Sequence, residues 1–318
     1  MSKLNLPGGV WSATPTPLTA DYRVDVDSVP RLVRHHLDMD VVGVMLAGTC
    51  GEGAWLTERQ KETLTRATVE AAEGKLHVAV QVTDNSAART LDNIEKAAAW
   101  GAEIAVVAGP HAFINVTPQR MLNHFTEIAR KSVLPVGYYE LGGKRGYAVP
   151  ESHLAELVAE PNIVMIKDSS TSDVRRDIFV AARKERPGLI VLDGDEFNVI
   201  PYIQAGYDGV MLGGSIFNAN LAGRIVKAVR AGNLAEAEKL QARMNDLMYR
   251  VYGGPKIECW MEGLKELLVQ MGIFSTRTNL FGFPLTDTCR AQITAAVNGS
   301  DGLGYQADLL GKAAVLAK

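Results

Sequence analysis

The sequence has little cysteine and no pattern of cysteines that would indicate cross-linking. Its 318 residues contain three cysteines, Cys50, Cys259 and Cys289, which lie far apart along the chain. Such a set predicts neither a disulfide framework nor a zinc site, and it is typical of a reducing compartment. The sequence also lacks HExxH and CxxC motifs and carboxylates clustered at metal-ligand spacing, so we expect no metal site.

Features of nucleic-acid-binding, secreted and membrane proteins are missing as well. The chain has 33 basic and 36 acidic residues, a formal net charge of −3, so it has no basic surplus that would neutralise phosphates. No apolar run approaches the roughly 18 residues of a membrane span, and the N-terminus does not have the cationic start and apolar run of a signal peptide. We therefore expect a cytoplasmic protein that binds neither nucleic acid nor membranes.

Apolar residues are plentiful and are arranged in short runs. Hydrophobic residues make up 47% of the chain and charged residues 22%, which is typical of a globular protein and excludes an intrinsically disordered one. Most of the runs lack polar alternation, as do strands that are buried on both faces. We predict strands at residues 10–15, 42–47, 77–82, 104–107, 133–139, 163–166, 189–193 and 209–212.

Helical patterns separate these runs. Thr57 precedes one of them and, with Gln60 three residues later, predicts a capping box. Thr117 stands before a proline and another helical pattern, which predicts an N-cap. Eight strands that alternate with helices predict an α/β protein with a (β/α)8 TIM barrel, and a doubly wound open sheet is the second possibility. We assign residues 1–218 to the barrel, and residues 219–318 to its last helix and a C-terminal helical extension.

The active site of such a barrel lies at the carboxyl ends of its strands. Lys167 ends a buried strand, where burial would lower its pKa and free the amine to form a Schiff base with a ketone. Tyr139 ends the preceding strand, about 5 Å away in a parallel sheet, and its phenol can relay protons. Alternatively, Lys167 only pairs with Asp168 at the strand end and Tyr139 is a core residue. One of Tyr138 and Tyr139 should point into the barrel, and we expect it to be Tyr139.

The segment GTCGEG at residues 48–53 follows the second predicted strand. Its glycines allow successive backbone N–H groups to face one point, which suits a carboxylate, and Thr49 adds a hydroxyl. The alternative is a tight turn before the helix that begins near Thr57. The segment matches neither the dinucleotide-binding GxGxxG pattern nor a P-loop.

Together these residues resemble the family of dihydrodipicolinate synthase and N-acetylneuraminate lyase, which are Schiff-base aldolases on a (β/α)8 barrel. The resemblance covers roughly residues 10–285. The motifs that carry it are GTCGE at 48–52, a strand-end tyrosine followed 28 residues later by a lysine, GDE at 194–196, and PKIECWMEGLKELLVQMG at 255–272.

The resemblance implies a role for each of four residues. Lys167 would form the imine with a 2-keto acid, and Tyr139 would relay protons. Backbone N–H groups of Thr49 and Cys50, with the Thr49 hydroxyl, would bind the carboxylate of the keto acid. Such chemistry needs no cofactor beyond the lysine imine with the substrate. The resemblance also implies a homotetramer.

Three positions depart from the pattern of dihydrodipicolinate synthases. Phe113 stands where those enzymes have a second relay tyrosine, and phenylalanine cannot transfer a proton. Lys144, beside Arg145, stands where they have an arginine for the carboxylate of the second substrate, and Cys50 replaces a threonine. These departures argue against lysine biosynthesis. Lys144 and Arg145 would bind a distal carboxylate of the substrate or form a solvated pair.

Polar residues after the last three strands indicate a hydroxylated substrate. By the resemblance, Asp195, Glu196 and Ser215 fall where the neuraminate lyase group binds the hydroxyls of a sugar acid. Gly194 precedes the two acids, and Ser169 is near a further polar position. Carboxylates and hydroxyls pair with vicinal OH groups and can reject analogues that lack them. Alternatively, the acids only begin the next helix, whose N-terminus favours negative charge.

The sequence therefore predicts a class I aldolase-type lyase that acts on a 2-keto-3-deoxy sugar acid, with pyruvate as product or donor. Three alternatives stay open. The same lysine imine could expel a β-hydroxyl from such an acid, as a dehydratase. The protein could be a dihydrodipicolinate synthase, or a catalytically silent barrel that binds keto acids, which Phe113 would permit. In each case the ligand is a small 2-keto acid and the protein a homo-oligomer.

Overall fold

The computed structural model describes residues 5–112, 116–142 and 147–312. Three residues of the sequence predictions lie outside them: Phe113, Lys144 and Arg145. Parallel strands pair in chain order and close into an eight-stranded barrel. They are β1 (Gly9–Ser12), β2 (Val41–Leu46), β3 (His77–Gln81), β4 (Ile104–Ala108), β5 (Val136–Glu140), β6 (Ile163–Asp168), β7 (Ile190–Asp193) and β8 (Gly209–Leu212). The predicted (β/α)8 barrel is confirmed, and an open sheet is excluded.

A helix follows each strand along the chain. The helices are α1 (Val29–Asp38), α2 (Glu58–Ala72), α3 (Ala87–Ala99), α4 (Pro118–Lys131), α5 (Glu151–Val158), α6 (Asp173–Glu185), α7 (Ile200–Ala205) and α8 (Ser215–Arg230). The capping box of Thr57 and Gln60 is present at the start of α2. The Thr117 side chain accepts a hydrogen bond from the Arg120 backbone N–H at the start of α4. Both predicted helix starts are therefore confirmed.

Further helices follow the barrel: α9 (Leu234–Tyr252), α10 (Trp260–Gln270), α11 (Asp287–Asn298) and α12 (Tyr305–Leu310). Helix α9 packs on α8, and α10 and α11 pack on α9. The boundary at residue 218 falls inside α8, because this helix begins directly after β8. Within the described ranges, no helix has the length and apolar character that crossing a membrane requires.

Side chains of the strands alternate between the barrel interior and the layer beneath the helices. One buried cluster fills the interior and contains Trp11, Met165 and Tyr139. Tyr138 belongs to the larger cluster beneath the helices, and its ring packs edge-on against Phe125 of α4 at a centroid distance of 5.0 Å. Tyr139 is therefore the tyrosine that points into the barrel.

Candidate active site

Lys167 and Tyr139 lie side by side on the inner face of the barrel. They are register partners at the carboxyl ends of β6 and β5. The Lys167 Nζ atom is 4.3 Å from the centroid of the Tyr139 ring, and each residue is only 5% exposed. The barrel closure therefore brings together a buried amine and a phenol whose residues are 28 positions apart in the sequence.

The Tyr139 hydroxyl is surrounded by hydrogen-bonding groups. Burial alone would raise the pKa of this phenol. The positive charge of Lys167 and hydrogen bonds with Thr49, Ser169 and Lys167 outweigh burial, so that the pKa of Tyr139 is lowered. A phenol with a lowered pKa exchanges a proton more readily near neutral pH, as a proton relay requires.

Gly194 leaves space beside the lysine. A Cβ atom at this position would lie 2.1 Å from Ser169 Oγ and 3.2 Å from Lys167 Cε. The first distance is far below any allowed contact, so a side chain here would displace Ser169 and crowd the amine. The Gly194 backbone N–H donates to the Asp168 carbonyl at 2.7 Å, which fixes the glycine against β6. Gly194 and Ser169, both nominated by the sequence, thus lie next to Lys167.

The GTCGEG segment is fixed to the C-terminal helices by a buried ion pair. Glu52 and Lys265 of α10 are both inaccessible to solvent, and the Lys265 ammonium donates to the Glu52 carboxylate. The same ammonium donates to the Thr278 carbonyl at 2.7 Å, and the Leu280 backbone N–H donates to Glu52. A buried charge pair with these additional hydrogen bonds holds the loop that carries Thr49.

Lys265 was missed at the sequence level, although a signal for it exists. It occupies an apolar position of α10, one residue after Leu264 and three before Leu268, both of which are buried. A lysine on the buried stripe of an amphipathic helix needs a partner of opposite charge. The pattern alone does not say which of the many acidic residues supplies it.

Cys50 lies in the same loop and is buried. Its Sγ atom would be 3.7 Å from a Cβ atom added to Gly213, so it packs against the end of β8. Burial, together with the negative charge of Glu196, raises the pKa of the Cys50 thiol to about 12. The thiol therefore stays protonated and is no nucleophile, and the role predicted for Cys50 rests on its backbone N–H.

Asp195 and Glu196, which follow β7, already accept hydrogen bonds from protein groups. Glu196 accepts hydrogen bonds from the Gly214 backbone N–H at 2.7 Å and from the Tyr252 hydroxyl at 3.2 Å. Asp195 accepts from the Phe197 backbone N–H at 3.2 Å. Burial raises the pKa of both carboxyls. Binding of substrate hydroxyls by these two acids stays a prediction.

Ser215 is the first residue of α8, directly behind the carboxyl end of β8. Its side chain is fully buried, and its hydroxyl has no hydrogen-bond partner among the described residues. The structure thus places it below the surface of the barrel mouth. Its predicted contact with a substrate hydroxyl also stays a prediction, as do those of Lys144 and Arg145, which lie outside the described ranges.

A second network, which the sequence did not reveal, lies on the outer side of the same strand ends. Glu140 is inaccessible to solvent and accepts hydrogen bonds from Tyr138 at 2.7 Å, from Arg175 of α6 at 2.6 Å and from the Gly142 backbone N–H at 2.6 Å. Its register partner Asp168 is in turn paired across the sheet with Asp193 of β7. Three neighbouring strands therefore end in buried carboxyl groups.

A cavity of about 210 Å³ opens beside Tyr139. The ends of β2 to β5 and the segments that follow them form its walls. The lining includes Thr49, Gln81, Pro110, His111, Leu141 and Tyr147. Tyr139 thus borders a space that a small organic substrate can enter.

Comparison with known proteins points to one family. The model of the dihydrodipicolinate synthetase family matches residues 6–298. A 4-hydroxy-tetrahydrodipicolinate synthase from Xanthomonas campestris pv. campestris is 31% identical over 265 residues, which cover 83% of this chain and 85% of the relative.

Solved structures show the same fold. Dihydrodipicolinate synthase from Thermotoga maritima superposes with a TM-score of 0.82 at 24% identity, covering 94% of this chain and 99% of that chain. A prophage protein of the dihydrodipicolinic acid synthase family from E. coli K12, in complex with pyruvate, has a TM-score of 0.79 at 22% identity and covers 92% and 98%. From the family match and the curated relative we conclude that this chain belongs to the dihydrodipicolinate synthetase family of class I aldolase-type lyases.

Proposed function

We propose that this protein is a Schiff-base lyase that cleaves or forms a 2-keto-3-deoxy sugar acid, with pyruvate as product or donor. The observation that carries the proposal is the buried Lys167 amine, 4.3 Å from the Tyr139 ring and beside the space left by Gly194. Family membership supports the imine chemistry. The pyruvate complex of the E. coli K12 neighbour supports a keto acid as the ligand.

In the first step, the Lys167 amine attacks the C2 carbonyl of the keto acid. The carbinolamine that forms loses its hydroxyl as water and becomes an iminium. Tyr139 is close enough to Lys167 to supply the proton that this leaving hydroxyl needs. We assign binding of the substrate carboxylate to the backbone N–H groups of Thr49 and Cys50, on the loop that the Glu52–Lys265 pair holds in place.

In the cleavage step, Tyr139 takes the proton of the C4 hydroxyl. The electrons of that O–H bond form the aldehyde carbonyl, and the C3–C4 bond breaks. Its electron pair moves into the iminium, which becomes a neutral enamine. Protonation of the enamine at C3 and hydrolysis of the imine release pyruvate and restore the lysine. The lowered pKa of Tyr139 fits a group that gives and takes a proton in successive steps.

Reductive trapping tests the proposal. Incubation with pyruvate and borohydride should add one reduced pyruvate to the protein, and peptide mass spectrometry should place it on Lys167. The Lys167→Ala variant should give no adduct and no turnover. Lys75→Ala, which removes an exposed lysine paired with Glu73 on the surface, is the matched control and should trap normally. An adduct on another lysine, or full activity in Lys167→Ala, would contradict the proposal.

The curated relatives favour a second candidate, since the Xanthomonas protein is named a 4-hydroxy-tetrahydrodipicolinate synthase. Synthase activity should be assayed beside the release of pyruvate from a panel of 2-keto-3-deoxy sugar acids. Product analysis of the same panel separates aldol cleavage from dehydration. Cleavage gives pyruvate and an aldehyde, whereas a dehydratase would release water and leave the carbon chain intact.

The assembly and the location of the protein also stay predictions. The homotetramer and the cytoplasmic location were inferred from family resemblance and from composition. Light scattering on the purified protein measures the first, and a tetramer would have four times the 34.4 kDa of one chain.

A further inference from the structure

Gln81 is the last residue of β3 and lies on the inner face of the barrel. Its register partner on β4 is Val106, which belongs to the interior cluster. The side chain lines the cavity beside Tyr139, together with Thr49. It also reaches the glycine-rich loop, since a Cβ atom added to Gly48 would lie 3.5 Å from Gln81 Oε1. The amide group is therefore placed where a substrate held at Lys167 would extend.

Among the residues that the structure describes, none provides a hydrogen-bond partner for the amide oxygen of Gln81. Gln81 Oε1 is shielded from solvent, and no donor among the described residues pairs with it. A buried acceptor without a donor destabilises the protein, whereas a leucine of similar size would fill the same space without that cost. Gln81 lines the cavity, and rotation about the last torsion of its side chain, which is soft in glutamine, turns this acceptor toward a ligand donor.

Three other polar side chains of the site, those of Thr49, Tyr139 and Glu196, already have hydrogen-bond partners. The Thr49 and Tyr139 hydroxyls contact each other. On the opposite side of the mouth, Glu196 accepts hydrogen bonds from Gly214 and Tyr252. Gln81, on the β3 side of the cavity, differs from these groups because no donor among the described residues pairs with its amide oxygen.

We propose that Gln81 determines specificity by accepting a hydrogen bond from a hydroxyl of the sugar acid beyond C4. This inference rests on the proposed lyase function and names the part of the substrate that enters the cavity. The C4 hydroxyl itself is handled by Tyr139, so Gln81 recognises the next hydroxyl along the chain. The amide nitrogen can at the same time donate to the oxygen of a vicinal hydroxyl, because a carboxamide presents both functions side by side.

Two substrates and two variants test the inference. The substrates are a 2-keto-3-deoxy-hexonic acid and 4-hydroxy-2-ketopentanoic acid, which keeps the C4 hydroxyl and lacks those beyond it. Gln81→Leu should lower kcat/KM for the hexonic acid by about 10-fold or more, since it removes a hydrogen bond to the substrate. It should leave kcat/KM for the pentanoic acid within about 2-fold of wild type. Gln81→Glu keeps an acceptor at the same place and should recover part of the loss.

Trapping of pyruvate on Lys167 distinguishes failure of the inference from failure of the proposed function. Gln81→Leu should trap as fully as wild type, which also shows that the variant is folded. An equal loss on both substrates, or no loss on either, would overturn the role of Gln81 while trapping continues. Wild-type protein that traps pyruvate yet cleaves no hydroxylated acid would overturn the substrate assignment. No trapping in wild type would overturn the proposed function and the inference together.

Discussion

At the ends of β5 and β6, consecutive residues point to opposite sides of the barrel wall and have different roles. Tyr139 and Lys167 face the interior, where the phenol lies beside the amine and borders a cavity. Glu140 and Asp168, the next residues in the chain, face the helices and are held by protein donors. Because side chains alternate along a strand, one short segment supplies both a reactive group and an anchor for the strand that carries it.

On the outer side, Glu140 and Asp168 each accept several hydrogen bonds from protein groups. Arg175 donates to Glu140 at 2.6 Å and to the Val149 carbonyl at 3.0 Å. Asp168 accepts from the Tyr207 hydroxyl at 2.7 Å and from the Ser170 backbone N–H at 2.9 Å. These contacts tie the ends of β5 and β6 to α6 and to the segments that follow the two strands. They therefore support the strand ends that carry Tyr139 and Lys167.

The largest expected effect separates two tyrosines on opposite faces of one strand. Tyr139→Phe removes the proton relay and should lower kcat for aldol cleavage by about 10²–10⁴-fold. Tyr138→Phe removes the hydrogen bonds of the hydroxyl with the buried Glu140 carboxylate and with the Val149 backbone. It should lower the free energy of unfolding by about 1–3 kcal/mol and leave kcat close to wild type. Steady-state kinetics and urea unfolding of both variants measure these effects.

A similar fall in kcat for both tyrosine variants would contradict the assignment of proton transfer to Tyr139 and of a purely stabilising role to Tyr138. Pyruvate trapping adds a second readout. Slow formation of the adduct in Tyr139→Phe, with the same final amount bound to Lys167, is the result expected of a group that moves protons.

The next effect concerns the cation of the outer network. Arg175→Met leaves the Glu140 carboxylate buried without its ionic partner, which should cost about 3–5 kcal/mol in the free energy of unfolding. Arg176→Met is the matched control, since the adjacent arginine pairs with the exposed Asp173 and Asp177. Surface pairs of this kind contribute about 0–1 kcal/mol. Equal destabilisation by the two substitutions, measured by urea unfolding, would refute the anchoring role of Arg175.

The sequence is sufficient to predict most of the fold, because the signals of strands and helix caps are local. Apolar runs mark all eight strands, and Thr57 and Thr117 mark two helix starts. The predicted strand at 133–139 begins instead at Val136. Pro135 has no N–H for the sheet, and the Ser132 hydroxyl, which pairs with the Leu134 backbone, forms a turn in its place.

The residues that face the barrel interior could be predicted from the sequence, whereas the network on the outer side of the strands could not. Lys167 and Tyr139 are strand-end residues, and the barrel topology brings strand ends together. Glu140 and Arg175 are 35 residues apart, and no spacing rule indicates that they pair. Gln81 also ends a strand, but only its three-dimensional surroundings show that no donor in the described part of the chain pairs with its amide oxygen.

The smallest expected effect is a pH dependence of the free energy of unfolding that arises from Asp193, the buried carboxyl at the end of β7. Asp193 is fully buried. Burial, followed by the negative charges of Asp195, Asp168 and Glu196, raises its pKa well above the usual value of 3.8. At a pH between 3.8 and this raised pKa, Asp193 is protonated in the folded protein and ionised in the unfolded chain. The free energy of unfolding should therefore fall as pH rises through this window, by at most about 1.4 kcal/mol per pH unit for one proton.

Asp193→Asn removes this proton while keeping the oxygen that accepts from the Asp195 backbone N–H at 2.8 Å. Urea unfolding between about pH 5 and pH 8 should show a shallower decline for the variant than for wild type. Some decline will persist, because burial also raises the pKa of Glu140 and Asp168. Asp27→Asn, which removes an exposed carboxylate, controls for the change in net charge. Parallel curves for wild type and Asp193→Asn would mean that Asp193 is ionised in the folded protein over this pH range, and would contradict the prediction.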